Sequence, residues 1–169
     1  MEQLFKETEI FINALPQAFA IGLVAGLLCY FFPGRNPGKS FLWGTFITYT
    51  VLLLNRVWFS RISRTIYSVS LIPFSTLDNR AYIVRFALNI IMFVPMGSFL
   101  FALFPNIFRK SAVRMLLCGA TVSLIIEAGQ GIFELGHVQT DDIIANTFGA
   151  LVGYMIAKII EKTKVLRML

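Results

Sequence analysis

Five stretches of this chain are apolar for about the length a helix needs to cross a bilayer, and no other feature constrains the fold as strongly. A hydrocarbon core of about 30 Å takes roughly 20 residues of helix. Within it, every backbone polar group must find its partner inside the protein. Ala14–Phe32 carries no charge and is stopped by Pro33, Gly34 and Pro37. Ser40–Phe59 follows, with Asn55 and Arg56 near its end, where the arginine can snorkel to the interface. Phe86–Phe108 is uncharged and contains Pro95, an expected kink. Met115–Phe133 contains Glu127, and Asp142–Ile160 is charged only toward its ends. The chain therefore reads as an all-α membrane protein, a bundle of about five transmembrane helices with an amphipathic or re-entrant segment between helices two and three.

Composition agrees. Charged residues make up 14% of the 169 residues, against about 25% in a soluble domain. Hydrophobic residues reach 57%, and the mean hydropathy is +0.74. The net charge of +6 fits cytoplasmic flanks of lysine and arginine better than nucleic-acid binding, since no soluble basic module is visible. Cys29 and Cys118 both lie in apolar runs and read as packing residues. Neither cysteine has a metal-ligand spacing and His137 is the only histidine, so no metal site and no cofactor are expected. The start, MEQLFKETEIFINAL, lacks a basic region and a small-residue cleavage site and does not read as a signal peptide. Residues 1–13 read as an N-terminal amphipathic segment, 14–59 as two transmembrane helices, and 60–169 as a region of three more with a basic tail.

Basic residues set the expected direction. Arg35 and Lys39, then Arg109, Lys110 and Arg114, then Lys158, Lys162, Lys164 and Arg167 flank alternate spans and should be cytoplasmic. The N-terminus and the turn around Glu134 and His137 should be external, and the C-terminus cytoplasmic. The connection from Ser60 to Arg85 departs from this pattern. Its Arg61, Arg64, Arg80 and Arg85 fall on the external side. They suit either an anionic headgroup or phosphate, or plain solvation and anchoring.

A polar layer follows from this arrangement. Asn89, Glu127, Gln130, Asp141, Asp142 and Asn146 all fall within roughly 10 Å of the outer boundary at about 1.5 Å per residue. Glu127, Gln130 and Glu134 share one helix side, as do Asp142, Asn146, Gly149 and Gly153. Gly149 and Gly153 form a small-xxx-small pair for close helix approach, as do Gly22 and Gly26. If the fourth span packs on the Gly149/Gly153 side, Glu127 and Gln130 face Asp142 and Asn146; a homodimer through the same glycines is the other use of that face. Asp141 and Asp142 also suit the N-terminus of the last helix as caps. An acid in hydrocarbon costs about 2.5–3.5 kcal/mol on insertion scales. Glu127 therefore needs compensation: Arg80, Arg85 or a proton shared with Asp142 if it is structural, a ligand or a carried proton if it is functional.

Catalysis has little support. The chain has no GxSxG, no HExxH, no phosphate-binding glycine loop and no nucleophile beside a base. Acid–base chemistry would rest on Glu127 and Asp142 alone.

The stretches SLIPFST (70–76), NIIMFVPMG (89–97), SLIIEAGQGIF (123–133) and DDIIANTFGALVGY (141–154) resemble, in order and spacing, the VanZ-like membrane proteins. The resemblance implies a small polytopic protein of the cytoplasmic membrane of Gram-positive bacteria. The name-giving member confers low-level resistance to teicoplanin, a lipoglycopeptide antibiotic. Family positions carried onto this chain are Asn89, Pro95, Gly97, Glu127, Gln130, Asp142, Asn146 and Gly149. Many relatives have an arginine just before the aspartate pair; this chain has Gly136 and His137 there. Binding of a cell-envelope amphiphile is the leading expectation, either a lipoglycopeptide or a lipid-linked cell-wall precursor. Asn89, Glu127, Gln130, Asp142, Asn146, Arg80 and Arg85 would form its site, and Pro95, Gly97, Gly149 and Gly153 would shape the helices. Expected partners are membrane lipids, this amphiphile and, in an oligomer, a second copy, but no nucleic acid. The rivals are a small transporter or flippase with Glu127 as proton carrier, an intramembrane hydrolase, and a non-catalytic structural subunit.

Overall fold

The apolar runs are helices in the structure, a computed structural model that describes residues 2–31, 36–58, 68–74, 80–135 and 137–163. The elements follow in the order α1 (Glu2–Phe31), α2 (Pro37–Val57), β1 (Ser68–Ser70), α3 (Arg80–Leu103), α4 (Pro105–Phe108), α5 (Ala112–Ile132), β2 (His137–Gln139) and α6 (Thr140–Lys162). Among the described residues four helices are long and apolar enough to cross a membrane: α1 over Ile12–Phe31, α3 over Tyr82–Leu103, α5 and α6. The 21-residue α2 is not among them. Its hydroxyl residues lower its hydropathy, yet Ser40, Thr45, Thr48 and Thr50 each donate to a carbonyl of their own helix. That removes much of the cost such groups carry in hydrocarbon.

Element limits follow local chemistry. Asn36 caps α2, its side chain accepting from Lys39 N at 3.1 Å, with Pro37 in the first turn. Ser111 caps α5 by accepting from Arg114 N at 3.3 Å. The third predicted span is divided: α3 ends at Leu103, Phe104 leaves the helical conformation (φ −121°, ψ 60°) ahead of Pro105, and α4 is a separate turn. At its other end α3 starts at Arg80 rather than Phe86, and it runs through Pro95 as one element. Residues 2–13 are helical and continuous with the rest of α1. Part of the Ser60–Arg85 connection, including Arg61 and Arg64, lies outside the described residues. Where described, it is a strand at Ser68–Ser70 and helix from Arg80.

The chain divides into two compact units, residues 1–64 and 65–168. In the first, α1 and α2 pack antiparallel through glycine. A Cβ on Gly44 would lie 2.7 Å from the carbonyl oxygen of Gly22 and 3.3 Å from the Cα of Gly26. Only hydrogen at these positions lets the two backbones touch.

In the second unit α6 is central. Gly149 lies against Ile90, and Gly153 against Val94, so α3 and α6 run in the same direction. A Cβ on Gly97, Gly149 or Gly153 would sink into a backbone carbonyl of the opposite helix. Ser98 Oγ adds a hydrogen bond to Gly153 O at 3.0 Å. The glycine face of the last helix therefore packs on α3, not on α5, and is already used within the chain rather than offered to a second copy. α5 runs the other way along α6, with Gly119 beside Thr147 and Ala150. The far end of this unit is closed by Phe101, Phe108, Met115, Tyr154 and Ala157. Phe101 and Tyr154 meet edge to face at 5.5 Å, and Arg109 pairs with Glu161 at 2.9 Å beside them.

Candidate functional site

At the opposite end of the second unit, three helices each bring polar side chains into the interior. Asn89 on α3, Glu127 and Gln130 on α5, and Asp142 and Asn146 on α6 are each at most 5% exposed. Ser123, Gln139 and Asp141 are buried with them. The antiparallel course of α5 along α6 explains the pairing. Asn146 Nδ2 donates to Ser123 Oγ at 2.8 Å, and one turn further along α5 the Glu127 carboxylate reaches the start of α6.

Glu127 has a partner that the sequence did not suggest. The backbone N–H of Gln139 donates to its Oε2 at 3.0 Å, inside the protein. Gln139 is the residue at which β2 turns into α6, and its own side chain makes no capping hydrogen bond there. The carboxylate of α5 thus satisfies a backbone donor at the mouth of α6. Asp141 and Asp142 are not the caps. They lie in the first turn of α6, where negative charge favours the helix dipole. Asp141 Oδ1 instead accepts from Phe74 N at 2.6 Å. This bond holds the Pro73–Phe74 turn, in which Phe74 has a left-handed φ of 62°.

A small parallel sheet ties the same turn down. Ser68, Val69 and Ser70 of β1 lie opposite His137, Val138 and Gln139 of β2. Thr140 Oγ1 donates to Leu71 O at 3.2 Å. Sequence periodicity could not reveal strands of three residues, and pairing partners 69 positions apart leave no local trace. Ser123 was more legible: it stands one turn before Glu127 on the same helix side.

Among the described residues, Asn146 and Arg85 keep unused capacity, as does Thr147 Oγ1 beside Asn146. Asn146 Oδ1 is buried without a hydrogen-bond partner among the described residues, although its Nδ2 is engaged. Arg85 stacks its guanidinium over the Tyr82 ring at 5.4 Å, while its Nη1 is buried without an acceptor. Arg80 opens α3, and its side chain lies outside the described residues. Glu134 does not join the layer. Helix α5 ends at Ile132, Glu134 has a left-handed φ of 52°, and its side chain is exposed. Leu135 N bonds Gln130 O at 2.9 Å and Glu134 N bonds Gly131 O at 3.4 Å, the pattern of a Schellman close.

The family model for VanZ/LLP1 matches residues 40–161, more than two thirds of the chain. This chain belongs to the VanZ/LLP1 family. No curated protein and no solved structure matches it. The family match takes in α3, α5, α6 and both strands, the whole frame of the buried polar layer. Family membership fits a VanZ-like membrane protein linked to antibiotic resistance, and four helices of this chain are long and apolar enough to cross a membrane.

Proposed function

We propose that the second unit binds the polar head of a cell-envelope amphiphile, a lipoglycopeptide or a lipid-linked wall precursor, in the layer between α3, α5 and α6. The layer faces outward from the cytoplasmic membrane in this reading, in keeping with the basic residues at the other end. The unused oxygen of Asn146 carries the proposal. A buried polar atom without a partner costs about 1–3 kcal/mol, and a ligand that supplies a donor recovers it. Asn89, Gln130 and Asp142 add buried polar groups at the same level. Arg85, with Arg80, would meet a phosphate or carboxylate on the head. Glu127 would act partly by position, since its Oε2 already holds the start of α6.

That same bond favours the second reading, a structural subunit in which Glu127 only joins elements. Two variants separate the readings. Glu127→Gln keeps an oxygen for Gln139 N, so stability stays near wild type, whereas Glu127→Ala strands that donor and loses about 1–3 kcal/mol. Asn146→Ala gives up one interhelical hydrogen bond, worth about 0.6 kcal/mol on average in membranes. In a host that the wild type protects from teicoplanin, protection should fall in Glu127→Gln and Asn146→Ala at nearly unchanged thermal stability. Full protection in both variants would leave only the structural reading standing.

A further inference from the structure

The first unit carries a second feature, independent of the polar layer. An apolar groove of about 280 Å³ runs between α1 and α2, floored by Gly22, Gly26 and Gly44 and walled by Phe19, Leu23 and Phe41. The same glycines bring the two backbones into contact along the base of the groove. Ser40, Thr45 and Thr48 line it too, but each hydroxyl is spent on a carbonyl of its own helix, at 3.0, 2.9 and 3.0 Å. The walls therefore present methyl and methylene groups.

We propose that this groove holds one acyl chain of an anionic phospholipid, with the headgroup at the N-terminus of α2. Length, polarity and charge agree on that occupant. From Pro37 to Thr48 the lining runs for about 16 Å of helix, half of a hydrocarbon core of about 30 Å, which is the depth of one leaflet. The Pro37 end is also the polar end. Tyr30 lies there, and the exposed Lys39 stands beside Ser40 at the start of α2, where the helix dipole also favours a negative group. The Thr48 end has no such charge.

The test uses the full chain in phosphatidylglycerol vesicles doped with phosphatidylglycerol bearing a diazirine in one acyl chain, with crosslinks mapped by mass spectrometry. Phe19 and Leu23 are 67% and 56% exposed, and Leu117 and Ile159, outside the groove, are 60% and 61% exposed. Groove residues should be labelled at least about tenfold more than this matched pair, the ratio for a site about 1.4 kcal/mol better than bulk lipid. Thr45→Phe should abolish the excess by filling the groove. Lys39→Glu, a surface change that leaves the helix contact intact, should lower it by loss of the headgroup contact. Equal labelling of groove and matched residues, or an excess untouched by both variants, would overturn the proposal.

Discussion

Glu134 shows how much one backbone angle matters at the end of a membrane helix. It occupies the left-handed position after α5, a place where glycine is favoured because a Cβ costs about 1–2 kcal/mol there. Its side chain is exposed. Glu134→Gly should therefore raise stability by about 1 kcal/mol, read as a higher unfolding midpoint in detergent. A lower midpoint would mean that the carboxylate does something its exposed position does not suggest. Phe74 shares the left-handed geometry for another reason: Asp141 holds its N–H from the start of α6. Asp141→Ala should release the turn and cost about 1–3 kcal/mol, while Asp141→Asn, which keeps an acceptor, should cost less. Hydrogen exchange at the Phe74 amide would report the release directly.

At the scale of elements, glycine decides which helices touch. Gly97, Gly149 and Gly153 face backbone carbonyls across the α3–α6 contact, and backbone cannot move aside without parting the helices. Gly119 faces chiefly the Cβ of Ala150, at 3.0 Å from where its own would be, and a small shift accommodates that. Gly153→Ala and Gly97→Ala should each cost more than the 1–3 kcal/mol usual for overpacking, and Gly119→Ala about 1 kcal/mol or less. Thermal unfolding of the three variants side by side checks the order. A Gly119 variant as damaged as the other two would refute the assignment of the tight face to α3. The stripe Asn146, Gly149, Gly153 was plain in the sequence, but its partner was not. Small-residue spacing says that some helix comes close and is silent on which one.

For the whole molecule, the second unit has two unlike ends. One gathers Arg109, Glu161 and Lys158 around an aromatic core. The other holds the strands and the buried polar layer. The lysines and arginines at the first end make the cytoplasmic side its expected place. With Cys29 and Cys118 replaced, Glu134→Cys should react with a membrane-impermeant maleimide on intact cells, and Lys110→Cys only after the cells are opened. Both positions are exposed, so accessibility in the fold does not confuse the result. The reverse pattern would turn the polar layer toward the cytoplasm and remove the proposed envelope ligand.

Membrane class, the long helices and the residues of the polar layer were determined by the sequence alone. Apolar run length and the cost of charge in lipid act residue by residue, so they are written locally. Asn89, Glu127, Gln130, Asp142 and Asn146 stood out because each is a polar exception in an apolar surrounding. Their partners were decided only in three dimensions. Glu127 meets a backbone N–H across a turn, Asp141 meets another 67 residues away, and Gly149 meets α3 rather than α5. Backbone donors have no residue-type signature, and three-residue strands have too little period to see. The helices were thus legible where hydrophobicity acts one side chain at a time, and the site took shape only where distant backbone and side chains share one interior.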